Sequence, residues 1–156
     1  MAFRDDVERF NALTKKGRPI GRSYVVLLGL NVIDLPGILA IVEKGFSWKT
    51  VERFAENTGF TIEQVGELIA VPKRTLMRRK AEKRLAADES DRLLRAARIY
   101  GKSLVLFDGS REAATEWLTE ANRALGGVAP IEYAKTEVGA EEIEHVIGRI
   151  EHGIFA

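Results

Sequence analysis

Cysteine is absent from this chain. Its absence excludes disulfides and zinc sites built on thiolates, and it fits a reducing compartment. Histidine is scarce: His145 and His152 stand seven residues apart, flanked by Glu144 and Glu151. Residues seven apart share a helix face, but histidines near a helix C-terminus are explained by its dipole without a metal. Long hydrophobic runs are missing too. The apolar stretch Val25 to Leu30 is far too short to span a bilayer. The N-terminus, MAFRDDVERF, has no apolar h-region and carries acids early, unlike a signal peptide. There is no GxGxxG, P-loop, HExxH or CxxC, and the many carboxylates show no evident pairing. These absences predict a soluble cytoplasmic protein that makes no membrane contact and catalyses nothing.

What is present suffices for a core. Hydrophobic residues make up 46% of the 156 positions, an ordinary share for a globular chain of one domain or two small ones. The net charge of +1 hides a separation of sign. Residues 73–84 hold Lys73, Arg74, Arg78, Arg79, Lys80, Lys83 and Arg84 against the single acid Glu82. Residues 110–156 hold nine glutamates against Arg111, Arg123, Lys135 and Arg149. The first segment suits a polyanion and the second does not, which suggests two partners.

Periodicity and caps read as helices throughout. Asp5 to Leu13 fits a short helix, Lys15 to Pro19 is a linker signal, and Tyr24 to Leu30 fits either a strand or a short helix. From Leu35 the pattern sharpens. Pro36 opens a helix bearing Ile38, Leu39 and Val42, which Gly45 stops. Ser47 caps the next, with Val51, Phe54 and Ala55 inward and Gly59 at its end. Thr61 and Gln64 form a capping box for a third helix, and a turn at Ala70-Val71-Pro72 leads to a fourth, basic one. Asp88-Glu89-Ser90 offers caps for a long helix with Leu93, Ala97, Tyr100, Leu104 and Phe107 as its buried stripe. After Gly109 a helix carries Ala114, Trp117, Leu118 and Ala121 inward. Trp117 is expected to be substantially buried between the long helix and the last one. Pro130 starts a short helix, Gly139 breaks the chain, and the last helix bears Ile143, Val146, Ile147 and Ile150 before Gly153. The class is all-α.

The third and fourth helices have the signature of a helix-turn-helix. That motif needs a small residue midway in its first helix, supplied by Gly66, and apolar residues that lock the angle, supplied by Val71 and Leu76. The turn position favours glycine because φ is often positive there, and here it holds Ala70. In the candidate recognition helix, Arg74, Thr75 and Arg78 lie where base edges are read. Arg79, Lys80, Lys83 and Arg84 suit phosphates, and Lys73 joins the same DNA-binding set. A cationic surface helix following a buried one would show the same charges.

From the recognition helix onward the chain resembles the Xre/MbcA/ParS group of antitoxins. The resemblance rests on Arg74-Thr75-Leu76-Met77-Arg78-Arg79-Lys80, on Glu89-Ser90-Asp91-Arg92-Leu93, and on Trp117-Leu118 followed by Asn122 through Pro130. It continues in Thr136-Glu137-Val138-Gly139-Ala140 and in the ending Arg149 through Ala156. It covers about residues 35 to 156 and divides the chain into an extension, 1–34, a Cro/phage-repressor-like helix-turn-helix domain, 35–87, and a C-terminal toxin-binding helical domain, 88–156. The resemblance implies a cognate RES-domain toxin that consumes NAD, blocked by the C-terminal domain. It also implies double-stranded promoter DNA as the second partner, for autorepression of the operon. The expected toxin-binding residues are Arg149, Glu151 and His152 near the end of the last helix and Gly153, Ile154, Phe155 and Ala156, a tail that could enter a cleft or fold back on its own core. A Cro-type reader binds a two-fold site, so a dimer or higher homo-oligomer is expected. The competing reading is a phage-type repressor with a C-terminal dimerisation domain and no toxin. It has no need for the Leu125–Pro130 turn or for the ending from Gly139 to Ala156.

Overall fold

The computed structural model describes residues 2–15, 20–32 and 34–153. Among them there is no strand, only two isolated β-bridges, and the class is all-α as expected. No described helix is long and apolar enough to cross a membrane.

The chain opens with α1 (Ala2–Thr14) and then the segment that pattern could not assign. That segment is a 3-10 helix, Ser23–Leu28, with Val25, Val26, Leu27 and Leu28 all buried. A strand here would need a partner for its backbone, and none of the described elements is one. A tight i→i+3 turn satisfies the amides locally while four apolar side chains reach α1, α3 and α6 around it. Gly29, at φ +74°, closes the turn by donating to the Val26 carbonyl at 2.9 Å.

Helix α2 (Leu35–Lys44) is capped by Asp34, which accepts from the Gly37 amide at 3.0 Å, with Pro36 in its first turn. Then come α3 (Trp48–Thr58), α4 (Ile62–Leu68), α5 (Lys73–Glu82) and the 20-residue α6 (Ala87–Leu106). The predicted stripe of α6 is buried at Leu93, Ala97, Tyr100 and Leu104, and Ala96 and Ile99 widen it, whereas Phe107, expected in the stripe, lies just past the helix end and is only partly buried. The added width lets α6 touch α1, the 3-10 helix, α2, α3, α4, α7 and α9, so it is the axis of the molecule. Helices α7 (Arg111–Thr119), α8 (Pro130–Tyr133) and α9 (Glu137–Glu151) complete the chain, with a one-turn 3-10 helix, Arg123–Leu125, after α7.

One hydrophobic cluster runs from Val7 to Ile147. The first 34 residues supply Val7, Phe10 and the 3-10 helix to it. They are also held electrostatically. The Asp6 carboxylate is buried and accepts from Arg53 Nε, from Arg53 Nη2 at 2.8 Å and from Asn57 Nδ2 at 2.8 Å. Asn57 Nδ2 also donates to the Leu27 carbonyl at 2.9 Å, which joins α1, the 3-10 helix and α3.

Further expectations are corrected by the packing. Leu39, expected on one face with Ile38 and Val42, is exposed while those two are buried. Trp117 is only partly buried, its ring against Phe107 with centroids 6.2 Å apart, because it lies on the edge of α7 and not on its inward face. Ala121 is exposed, because α7 ends at Thr119 and the chain turns extended at Glu120. Gly139 does not break the chain. It sits in the first turn of α9, where the Thr136 cap accepts from its amide at 3.0 Å. A Cβ there would run into the Tyr133 carbonyl, with the Tyr133 carbonyl carbon at 2.7 Å. The glycine allows α8 and α9 to meet.

Candidate functional site

The bihelical unit α4–α5 is built as its sequence demands. The Thr61 hydroxyl accepts from the Gln64 amide at 3.0 Å, and Gln64 Oε1 accepts from the Thr61 amide at 2.9 Å. A Cβ on Gly66 would lie 2.7 Å from Leu76 Cδ2, so the glycine lets α5 press against α4. Val71 and Leu76 are buried and fix the crossing. Ala70 takes φ +56°, the left-handed region that glycine adopts without strain. An alanine there carries about 1–2 kcal/mol of strain. Ala70→Gly removes it but loosens the unfolded chain by about 0.4–1 kcal/mol. The variant should therefore melt at the wild-type temperature or roughly 1–4 °C above it in a calorimetric scan, and a lower melting temperature would contradict this geometry.

The unit is tied to the rest of the fold at its turn and at its exit. Arg92 Nε donates to the Ile69 carbonyl at 2.5 Å from α6. Past α5, Lys83 turns at φ +63° and its carbonyl accepts from the Trp48 amide at 3.0 Å. The Leu85 amide donates to Phe46 at 2.9 Å, and Arg84 Nη1 donates to the Gly45 carbonyl at 2.7 Å. With Leu76 inward, the outer face of α5 is presented rigidly to solvent.

On that face Lys73, Arg74, Arg78 and Lys80 are exposed, Lys83 is exposed just beyond the helix, and Thr75 is partly buried. Lys73 lies 3.8 Å from Glu63 and Arg78 lies 3.9 Å from Glu82. Pairs this exposed and this loose exchange readily for a phosphate or a base. Arg79 behaves differently. Its Nε and Nη2 donate to the two carboxylate oxygens of Glu89 at 2.8 and 3.1 Å, and its Nη1 donates to Glu82 at 3.1 Å. Glu89 is buried and also accepts from the Ala86 amide at 2.8 Å at the start of α6. The Arg79 side chain is 20% exposed, so the guanidinium anticipated for phosphate is spent on joining α5 to α6. The sequence reading also passed over Met77. It is 54% exposed between Arg74 and Arg78 on the outward face. The three- and four-residue spacing from Arg74, opposite Leu76, was the available signal.

This split gives a test. Arg79→Ala strands a buried carboxylate and should cost about 2–3 kcal/mol of stability, at the low side for a broken buried pair because Arg79 retains some solvent access. Arg79→Lys should recover little of it, since an ammonium cannot make the bidentate contact. Arg74→Ala should leave the urea midpoint where it was. Equal midpoints for the Arg74 and Arg79 variants would contradict the assignment.

The C-terminal half is held to α6 by ion pairs. Arg98 Nη2 donates to Glu144 at 2.9 Å and to Glu137 at 3.2 Å, Lys102 pairs with Glu144, and Arg95 lies 3.6 Å from Glu137. Between α7 and α8 the chain makes a closed loop. The Asn122 amide donates to the Val128 carbonyl at 3.1 Å, buried Leu125 anchors the loop, and the Tyr133 hydroxyl donates to the Leu125 carbonyl at 3.3 Å. Among the expected toxin-binding residues, Arg149 is partly buried and within 3.5 Å of Glu142, while Glu151, His152 and Gly153 are exposed at the end of α9. Ile154, Phe155 and Ala156 lie outside the described residues. His145 is 3.8 Å from Glu142, and among the described residues no group of three His, Cys, Asp or Glu could hold a metal.

Two family models match this chain in tandem. Residues 37–98 match an antitoxin Xre-like helix-turn-helix domain, and residues 104–153 match an antitoxin Xre/MbcA/ParS C-terminal toxin-binding domain. An antitoxin Xre from Photorhabdus laumondii is 32% identical over 122 residues, covering 78% of this chain and 82% of that protein. An antitoxin Xre from Yersinia enterocolitica is 29% identical over 116 residues, covering 74% and 78%. A protein from a Sphingobium species named Prs ADP-ribosylating antitoxin is 25% identical over 143 residues, covering 86% and 88%.

Proposed function

The chain belongs to the Xre antitoxin family, and on that premise we propose that it neutralises a RES-domain, NAD-consuming toxin and represses its own operon. The carrying observation is the division of its surfaces along one rigid core. Helix α5 shows a cationic outer face, and in the acidic C-terminal half Glu151, His152 and Gly153 are exposed at the end of α9. The cations suit promoter DNA. The acidic end suits a pocket made for an anionic dinucleotide, which is basic. In this reading the chain acts by binding alone, without cofactor or catalysis. A dimer matches a two-fold operator, and Leu35, Leu39 and Val138 are exposed apolar side chains available to form one. The phage-type repressor reading offers no account of a C-terminal toxin-binding match over residues 104–153.

The tail carries the inhibitory contact in this proposal. The last core residues of α9 are Ile143, Val146 and Ile147, and Gly153 stands exposed beyond the helix at φ +69°. Deleting residues 153–156 should leave the circular dichroism and promoter affinity within error of wild type. Cells co-expressing the RES toxin encoded beside the gene should then stop growing and lose NAD. Growth with the truncated protein would move the inhibitory contact elsewhere on the C-terminal half. Loss of helicity would make the tail part of the core.

A further inference from the structure

The exposed methionine of α5 is a large apolar side chain with no place in the core. Met77 is 54% exposed and is absent both from the hydrophobic cluster and from the side chains packed against it. Its surroundings are cationic: Lys73, Arg74, Arg78 and Lys80 share its helix and are all exposed. Leu76 turns into α4 and Arg79 is clamped to Glu89, so the outward row of α5 reads Arg74, Met77, Arg78, Ala81. Positions 74, 77 and 78 are neighbours on one face by the three- and four-residue spacing. A partner that neutralises the arginines brings its own surface against the Met77 thioether.

In the major groove one group suits that side chain. Guanine offers the N7 and O6 acceptors that arginine takes bidentately, and the 5-methyl of a pyrimidine is the groove's only apolar feature. An unbranched thioether with three rotatable bonds can reach and cover a methyl. We propose that Met77 is a specificity-determining residue that reads a pyrimidine 5-methyl group, a thymine in ordinary DNA, beside the bases taken by Arg74 and Arg78. The proposal rests on the reading of α5 as the DNA-recognition helix and adds the chemical class of base to it.

The test uses a duplex enriched from a randomised library by the full-length protein, with each thymine changed in turn to uracil, which removes the 5-methyl and nothing else. Fluorescence anisotropy should show one position where the wild type weakens about fourfold, the equivalent of burying one methyl group. Met77→Ala should bind with the same salt slope and lose less than twofold on that uracil duplex. Met77→Leu should retain most of the uracil penalty. Wild-type binding that is indifferent to uracil at every position overturns the proposal while leaving α5 as the recognition helix. So does a Met77→Ala variant that keeps the penalty. If the library yields no preferred duplex, or if Arg74→Ala/Arg78→Ala binds the selected duplex as wild type does, base reading by α5 fails as well.

Discussion

Replacing Gly139 by alanine should lower stability by about 3 kcal/mol and the melting temperature by roughly 6–12 °C. The two effects of the substitution oppose each other, which makes the sign informative. In a helix, alanine is favoured over glycine by about 1 kcal/mol, so propensity alone predicts a gain. The added methyl, however, meets the Tyr133 carbonyl and lies 3.0 Å from Thr136 Oγ1. Neither can swing away easily: the first is backbone of the last residue of α8, and the second is the cap that holds the Gly139 amide. Relief requires α8 to part from α9, which would loosen the C-terminal half before the helix-turn-helix. Calorimetry and growth protection against the toxin should both show the loss. A variant that melts above wild type would show that propensity outweighs packing here.

Arg53→Ala should cost about 3–5 kcal/mol, more than Asp6→Ala. The asymmetry follows from burial, since the Asp6 side chain is 3% exposed and that of Arg53 is 34% exposed. Losing the arginine leaves a carboxylate inside the fold with Asn57 as its hydrogen-bond donor. Losing the aspartate removes one acceptor from a guanidinium that already reaches solvent, at about 2 kcal/mol for the hydrogen bonds to a charged group. Both variants should detach α1 and the 3-10 helix from α3, and chemical denaturation should rank them in this order. The reverse order would mean that the arginine is the more confined partner.

Local signals in the sequence reached as far as local physics does. The Thr61–Gln64 box, Gly66, Val71, Leu76 and the positive φ at Ala70 are requirements of two adjacent helices and one turn. The buried stripe of α6 was legible for the same reason, being the 3.6-residue period of one helix. Residues whose role depends on remote neighbours were not legible. A run such as Val25 to Leu28 has no period to betray its conformation, and only enclosure by α1, α3 and α6 decided it. Arg79 is one cation in a basic run until Glu89, ten residues on, closes upon it. Asp6 and Arg53 are 47 residues apart, and nothing near either announces the other.

The sequence by itself determined the all-helical class, the place of the helix-turn-helix and the family, because caps, periodicity and short motifs are written within a turn or two of the chain. Tertiary structure alone decided which cations on α5 remain available, why Gly139 must lack a side chain, how far Trp117 is buried, and that residues near the N-terminus share the core of the helix-turn-helix. Each of these is set by atoms brought together across long loops, where burial and hydrogen-bond partners depend on packing and not on neighbouring letters.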